Sequence, residues 1–576
     1  MFNKLDPVTL EILWSKLITI AEEISTVLLR TSFSSIIREC RDFACGVFNT
    51  EGDLLAQSTR STPGLIGVMP LGLKNILKVF PKETIKPGDI LVTNDPWLLS
   101  GHLPDITIVT PVFKESKLFA FIGNIAHHFD IGGRMGNPES REIFEEGLRI
   151  PVSKIYTSGI QNNDIFNFIR DNVRSSEKVI GDVRAQIAAN NIGCSRLTEF
   201  MNENNLETLV DLGSEIIRRT EVSTRGAIEK IPDGKYPYQA FIDSDTKPIK
   251  INLVVFVNGS DIIVDYKGTS PQVDRAINSP FNYTYAHTTF GLKCLLDPLI
   301  PSNAGYFKPI TVKAPEGSIL NAKFPAAVVA RSQVTMYLSE FMLMALSKAL
   351  PERVIAGSGS CPLWNKVFDG MRRDGKPFHE YFFIAGGMGA RGNKDGVSCL
   401  QFPANVDNAP IEIVENEAPV LYERKALFCD SGGAGEYRGG LGQEVSISIH
   451  EGVHKVHGKV RFGVKGGRYT IPVPGLFGGR GSTCEIRIND GEPLKIAKYT
   501  QLTAGDRICS RTPGGGGYGD PFKRDPKLVE KDVRHGYVSV DGALRCYRVV
   551  VNKGTQEVDV EMTKKIRSEK ISNNQV

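Results

Sequence analysis

Residues 94–133 read Asn94-Asp95-Pro96-Trp97-Leu98-Leu99-Ser100-Gly101-His102-Leu103-Pro104-Asp105, then ITIVTPVF over 106–113, KESK over 114–117 and LFAFIGNI over 118–125. They end on Ala126-His127-His128-Phe129-Asp130-Ile131-Gly132-Gly133. The two apolar runs are rich in β-branched and aromatic residues, and the polar segment between them has turn length, so the spacing predicts a hairpin. A hairpin brings its two ends together, which sets His102 and Asp105 at the entry beside His127 and His128 at the exit. Imidazole nitrogens and carboxylate oxygens in a partly open set suit Zn, Mn or Fe(II), with a free position for water or substrate. The same residues also read as hydrogen-bonded surface and turn groups, because Pro104, Gly132 and Gly133 are turn formers.

With 576 residues and an apolar fraction of 41%, the chain has room for two to four domains and the composition of a soluble globular protein. A formal charge of +4, from 69 basic and 65 acidic residues, supplies no basic face, so nucleic-acid binding is not expected. No apolar run reaches the length of a membrane span, and Met1–Asp6 lacks the layout of a secretory signal, so a cytoplasmic location is expected. Ten cysteines without Cys-x-x-Cys spacing read as reduced core thiols.

Asp6-Pro7 is an N-cap followed by proline at the first helical position, and apolar residues from Leu10 to Leu28 recur at three- and four-residue steps. They predict a long amphipathic helix ending near Thr31. Arg38 to Phe48 is expected as a strand that Leu54–Gln57 pairs with across a turn at 49–53. Asp42 within a half-buried strand needs a cationic partner, and a salt bridge to an arginine is the commoner explanation. Asp164 to Ile231 reads as largely helical, with Gly181 to Asn190 a strong helical segment. The period then changes to two, and residues 249–257 and 262–266 flank Asn258-Gly259 as a second hairpin. A helical pair follows between Phe281 and Leu350. Beyond Gly357 short strands and glycine loops dominate, with a short helix at Val529–His535 and a frayed polar end from Lys564.

The expected architecture is α+β and multidomain. Residues 1–235 form a mixed metal-site domain with a helical segment, 236–356 a strand-helix domain, and 357–576 a β-rich part. None of the glycine loops matches a nucleotide-binding pattern, so tight turns are their expected use. His454 and His457 fall on opposite faces of an alternating stretch and read as solvated. No Gly-x-Ser-x-Gly elbow occurs, and Cys40, Cys45 and Cys294 lack a basic neighbour in sequence, which favours structural thiols.

Several motifs together resemble the hydantoinase B family. They are Arg41-Asp42-Phe43-Ala44-Cys45, Asn94-Asp95-Pro96, Gly101-His102-Leu103-Pro104-Asp105, His127 to Gly133 and Glu146-Gly147-Leu148-Arg149-Ile150-Pro151. Gly181 to Asn190, Ala314 to Ser318, Pro351-Glu352-Arg353, Asp430 to Gly435 and Thr512 to Pro521 carry the likeness to nearly the whole chain. The family includes the B chains of N-methylhydantoinases, the caprolactam-opening enzyme, the carboxyl-terminal half of oxoprolinase, and subunits of acetone and acetophenone carboxylases.

The resemblance implies one subunit of a two-component enzyme whose hydantoinase A-like partner binds ATP-Mg. It implies a divalent metal, Zn or Mn with Fe also admitted, on Asp42, His102, Asp105 and His127, with His128 and Asp130 orienting ligands or substrate. ATP would phosphorylate the oxygen of a cyclic amide or imide, and water activated at the metal site would open the ring. A ketone carboxylase working through a phosphorylated enol is the alternative, and a metal-stabilised scaffold without chemistry is another. The chain departs from the family pattern at Leu65, where many members have histidine, and at Trp97, where hydantoinases often have tyrosine; both bear on substrate identity.

Overall fold

A computed structural model describes residues 6–134, 137–244, 247–372, 374–450, 460–495 and 499–568. The first helix, α1 (Pro7–Thr31), begins as its sequence dictates, with the Asp6 carboxylate accepting from the Val8 and Thr9 amides. The predicted hairpin forms as β4 (Asp105–Lys114) and β5 (Lys117–His127). Together with β1 (Phe43–Phe48), β2 (Leu54–Gln57), β3 (Ile90–Thr93), β6 (Ser153–Thr157) and β7 (Ile160–Gln161), it builds a seven-stranded sheet in the order β2-β1-β5-β4-β3-β6-β7.

Both faces of this sheet are covered, which is why its central strands read as continuous apolar runs. Cys45, Val47, Ile106, Ile108 and Ile122 pack on the side of α1 and the helix Ser176–Glu203. Ala44, Phe48, Val109, Phe121 and Ile125 face the other way, onto Met69, Leu73 and the helix Phe281–Leu296. Within the apolar side a polar bridge fixes the long helix to the hairpin. The Gln186 amide donates to the Ile106 carbonyl at 2.9 Å, and that of Asn190 to the Ile108 carbonyl at 3.1 Å.

One local expectation fails. Arg38 to Asp42 is not strand: Ser35–Arg38 forms a helical turn, and Arg41 takes a left-handed conformation with φ 58°. The Asp182 carboxylate accepts from the Phe33 and Ser34 amides at 2.6 and 3.2 Å and ties this corner to the long helix. A contact 149 residues away in sequence thus overrides the local strand propensity.

The second hairpin forms as β9 (Ile249–Asn258) and β10 (Asp261–Asp265); β8 (Gly234–Ile242), a strand not foreseen, pairs antiparallel with β9, and β11 (Ile310–Lys313) joins β10 in parallel to complete a four-stranded sheet. Phe281–Leu296 and Ser332–Ala345 are the expected helical pair. Two further four-stranded sheets follow. One has the order Pro377–Ile384, Trp364–Met371, Val460–Lys465, Tyr499–Leu502; the other Val420–Leu427, Gln443–Ile449, Arg507–Arg511, Glu485–Ile488. The short helix lies at Pro526–Arg534, and helices at Val540–Tyr547 and Val560–Ser568 extend helical structure through Lys564 to Ser568, in place of the frayed end expected there. His454 and His457 lie outside the described residues. All ten cysteines are free thiols, and no helix among the described residues is long and apolar enough to cross a membrane.

Candidate metal centre

Strand register delivers the first two groups. Asp105 and His127 are cross-strand partners at the open end of the β4–β5 hairpin, and the His127 Nδ1–H donates to Asp105 Oδ1 at 2.9 Å. His102 reaches the same oxygen from the preceding loop, its Nε2 lying 2.8 Å from Asp105 Oδ1. Donor atoms of His102, Asp105 and His127 lie within 4.8 Å of one another, and all three residues are buried. Asp42 stands at the rim, half-buried, with Oδ2 4.0 Å from His127 Nδ1 and its backbone carbonyl accepting from the His127 amide at 3.0 Å. No arginine pairs with it among the described residues, so the salt bridge expected for Asp42 is absent; the Arg41 side chain pairs with Asp407.

The tautomer of His102 tests whether a cation fits. Its Nδ1 lies 3.1 Å from the Val329 carbonyl, which can only accept, so the ring hydrogen is on Nδ1. Nε2 then presents a bare lone pair, makes no hydrogen bond among the described residues, and faces a carboxylate oxygen. Protonating the ring does not resolve this contact, because burial, reinforced by Arg331, pushes the His102 imidazole down to about 3. Two acceptors held 2.8 Å apart in a buried site call for a positive centre between or beside them. The donor set therefore fits a divalent cation.

Burial would raise the Asp105 carboxyl, but the Arg331 guanidinium and the His127 ring N–H, both donating to it, hold it well below the usual carboxylate range. Asp42 goes the other way: burial, aided by Asp105 and opposed by His127 and Arg331, raises it to about 6.

Arg331 is the residue that sequence reading missed. It is buried, donates to Asp105 Oδ2 at 2.8 Å, hydrogen-bonds the Ser100 carbonyl, and stacks 3.7 Å above the Tyr283 ring. Its only local signal is a lone arginine ending the apolar run Ala326-Ala327-Val328-Val329-Ala330. Gly101, at φ 82°, makes room for it, since a Cβ there would stand 2.8 Å from Arg331 Cδ. Glu146 supports the opposite side. Its Oε1 accepts from the Val328 and Val329 amides at 2.7 and 2.8 Å, fixing the carbonyl that orients His102. Asn94 clamps the same loop by donating to the Leu103 and Leu148 carbonyls and accepting from the Ile150 amide. The Asn94-Asp95-Pro96 and Glu146–Pro151 motifs are thus two halves of one brace.

Leu65, Tyr283, His287, Tyr381 and Lys465 complete the walls of the cavity around the cluster. His128 and Asp130 are not among the lining residues. Strand alternation turns His128 away, to Gln186 at 3.0 Å, and Asp130 accepts from the Gly132, Arg174 and Ser175 amides. Trp97 packs on Phe324 and donates to the Ala322 carbonyl, outside the cavity. The Cys40 and Cys45 thiols are buried and pushed up by burial, and that of Cys294 is pushed up to about 12, as inert structural thiols would be.

The hydantoinase B/oxoprolinase family model matches residues 6–521. The chain is 33% identical to the B chain of a putative D-/L-hydantoinase of Pseudomonas sp., over 98% of each chain. It is 30% identical to the beta chain of the caprolactamase of Pseudomonas jessenii, over 97% of this chain and 99% of that one. The crystal structure of the ATP-dependent caprolactamase from Pseudomonas jessenii matches with a TM-score of 0.88 and 29% identity, covering 98% of this chain and 100% of the other.

Proposed function

The chain belongs to the hydantoinase B/oxoprolinase family, and we propose that it is the metal-containing subunit of an ATP-dependent two-component amidohydrolase that opens a cyclic amide or imide. The observation that carries the reading is the buried acceptor pair, His102 Nε2 against Asp105 Oδ1, at the centre of a chain whose full-length relatives are named as hydantoinase and caprolactamase subunits. Those names support a partner that binds ATP-Mg, a hydantoinase A-like chain, and a substrate of hydantoin, lactam or oxoproline type.

Asp42, His102, Asp105 and His127 would hold the ion; Zn and Mn suit the set best, and Fe(II) is compatible with it. A divalent ion there supplies Lewis acidity and a nucleophile at neutral pH. The protein's own groups prepare that chemistry. Arg331 neutralises Asp105 from the side away from His102, and Val329 fixes the His102 tautomer. His128 and Asp130 act through the backbone that carries His127, which they anchor to Gln186 and to the Arg174–Ser175 segment. An amide carbonyl is a poor electrophile, and phosphorylation of its oxygen by the partner would make it a good one.

The test is reconstitution with the ATP-binding partner chain. ATP-dependent opening of hydantoin, ε-caprolactam or 5-oxoproline without incorporation of labelled bicarbonate is expected, and bicarbonate fixed into a ketone product would replace the hydrolase reading with a carboxylase. His102→Ala should abolish metal binding and lower turnover at least roughly 1000-fold while the complex still assembles. Unchanged turnover would leave the metal a structural role only.

A further inference from the structure

A third imidazole faces the same cavity from the wall formed by Phe281–Leu296. His287 is fully buried and lines the cavity, yet it lies outside the His102, Asp105 and His127 set of mutually close donor atoms. Its tautomer follows from Ser339. That hydroxyl lies 2.9 Å from the His287 carbonyl, which can only accept, so the hydroxyl hydrogen is committed there. The same oxygen is 3.3 Å from His287 Nδ1 and, with its hydrogen used, can only accept. The ring hydrogen is therefore on Nδ1, and Nε2 is a bare acceptor with no hydrogen-bond partner among the described residues.

Gly64 keeps this acceptor reachable. A Cβ at Gly64 would stand 2.8 Å from His287 Nε2 and 3.0 Å from Tyr283 Oη, so a nitrogen acceptor and a phenol hydroxyl converge beside bare backbone. A larger chamber of about 390 Å³ adjoins the cavity, and Val406 lines both. Ala286, Phe290, Phe307 and Phe402 give it apolar walls, and its size is that of small-molecule pockets.

We propose that His287 Nε2 is a recognition point for the N–H of a ring amide, flanked by the Tyr283 hydroxyl, with the ring's apolar body in the adjoining chamber. The inference rests on the amidohydrolase reading and narrows it. A buried acceptor without a donor is costly, so the site favours ligands carrying N–H next to the carbonyl over lactones and ketones, which carry none. His287 would be a specificity residue, with no proton transferred to or from it.

The test is calorimetric titration of the full-length, Zn-loaded chain with matched pairs: ε-caprolactam against ε-caprolactone and cyclohexanone, 2-pyrrolidone against γ-butyrolactone, and hydantoin against 1,3-dimethylhydantoin, which has no ring N–H. At least one N–H ring should bind roughly 10- to 100-fold more tightly than its counterpart lacking N–H. His287→Leu should reduce that ratio to within about threefold, and His287→Gln, whose Oε1 can accept at the Nε2 position, should keep most of it, with Zn content unchanged in both. Equal affinity within every pair, no binding by any N–H ring, or a preference that survives His287→Leu overturns the proposal. If the preference is present but the reconstituted complex opens no ring, the amidohydrolase reading falls and the subsite stands. Ring opening without the preference does the reverse.

Discussion

The open end of the β4–β5 hairpin and the glycine loops of the carboxyl-terminal half work on opposite principles. At the hairpin, polar side chains crowd into one buried cavity, and its chemistry depends on which atoms they present. In the glycine loops, function depends on side chains being absent. A Cβ at Gly387 would lie 1.9 Å from the Gly440 carbonyl oxygen, one at Gly439 2.0 Å from that of Gly515, and one at Gly515 2.1 Å from that of Met388. The loops are stitched backbone to backbone, with Gly440 donating to Met388 at 2.9 Å, Gly515 to Gly440 at 2.8 Å and Gly433 to Gly515 at 2.8 Å. Tight turns are the use their sequence suggests, yet of the residues just named none has positive φ. Close approach is what they provide, so damage in one region should strike chemistry and in the other folding.

The largest effect expected is therefore far from the candidate metal centre. Gly387→Ala sets a methyl against backbone that cannot move aside, and it should cost more than about 4 kcal/mol or abolish soluble expression. Thermal unfolding of whatever protein is recovered checks this. A stable Gly387→Ala variant with native melting would erase the contrast between the regions. Arg331→Met tests the opposite case, a side chain at the centre whose loss should also be felt in folding. It leaves Asp105 Oδ2 and the Ser100 carbonyl without their donor, at a cost of roughly 3–5 kcal/mol by denaturant titration.

Legibility in the sequence follows the same division. The hairpin could be read because its signals are local: apolar runs, a polar turn, and acids and histidines at both ends. Once the hairpin exists, the pairing of Asp105 with His127 is a consequence of register. Arg331, His287 and Tyr283 could not be read, because helices more than 150 residues downstream bring them in and no local period marks them. Asp42 stood out in the sequence as a carboxylate needing a cationic partner, but only family resemblance assigned it to a metal, since the expected strand starts one residue later, at Phe43, and Asp182 anchors the preceding corner. Glycine runs are ambiguous in principle, because a turn and a backbone crossing ask for the same residue.

A smaller effect separates burial from catalysis. Glu380 is buried with Ser35 as its hydrogen-bond partner at 2.9 Å, and burial raises its carboxyl to about 8. The folded state then keeps a proton that the unfolded state releases above about 4.5. Stability from this group is complete below pH 4.5 and is lost as pH rises through 8, a decline on the order of 2–4 kcal/mol. Glu380→Gln should flatten that part of the stability-versus-pH curve, leaving metal content unchanged. An unaltered slope would show that the carboxyl titrates normally.

The smallest effect, and the sharpest for the hairpin, comes from Glu146, which touches no proposed ligand. Its carboxyl, raised to about 8 by burial, holds the Val328 and Val329 amides, and the Val329 carbonyl sets the His102 tautomer. Glu146→Gln keeps an oxygen acceptor for both amides and should bind metal almost as the native chain does. Glu146→Ala frees the segment, so the His102 ring loses its fixed orientation and metal affinity should fall about 10- to 100-fold. Competition with a chelator measures this directly. The contrast between the two substitutions matters more than either value, because equal losses would point to the carboxylate charge and a loss confined to alanine points to backbone positioning. If neither changes affinity, Val329 is not what orients His102, and the bare lone pair against Asp105 needs another explanation.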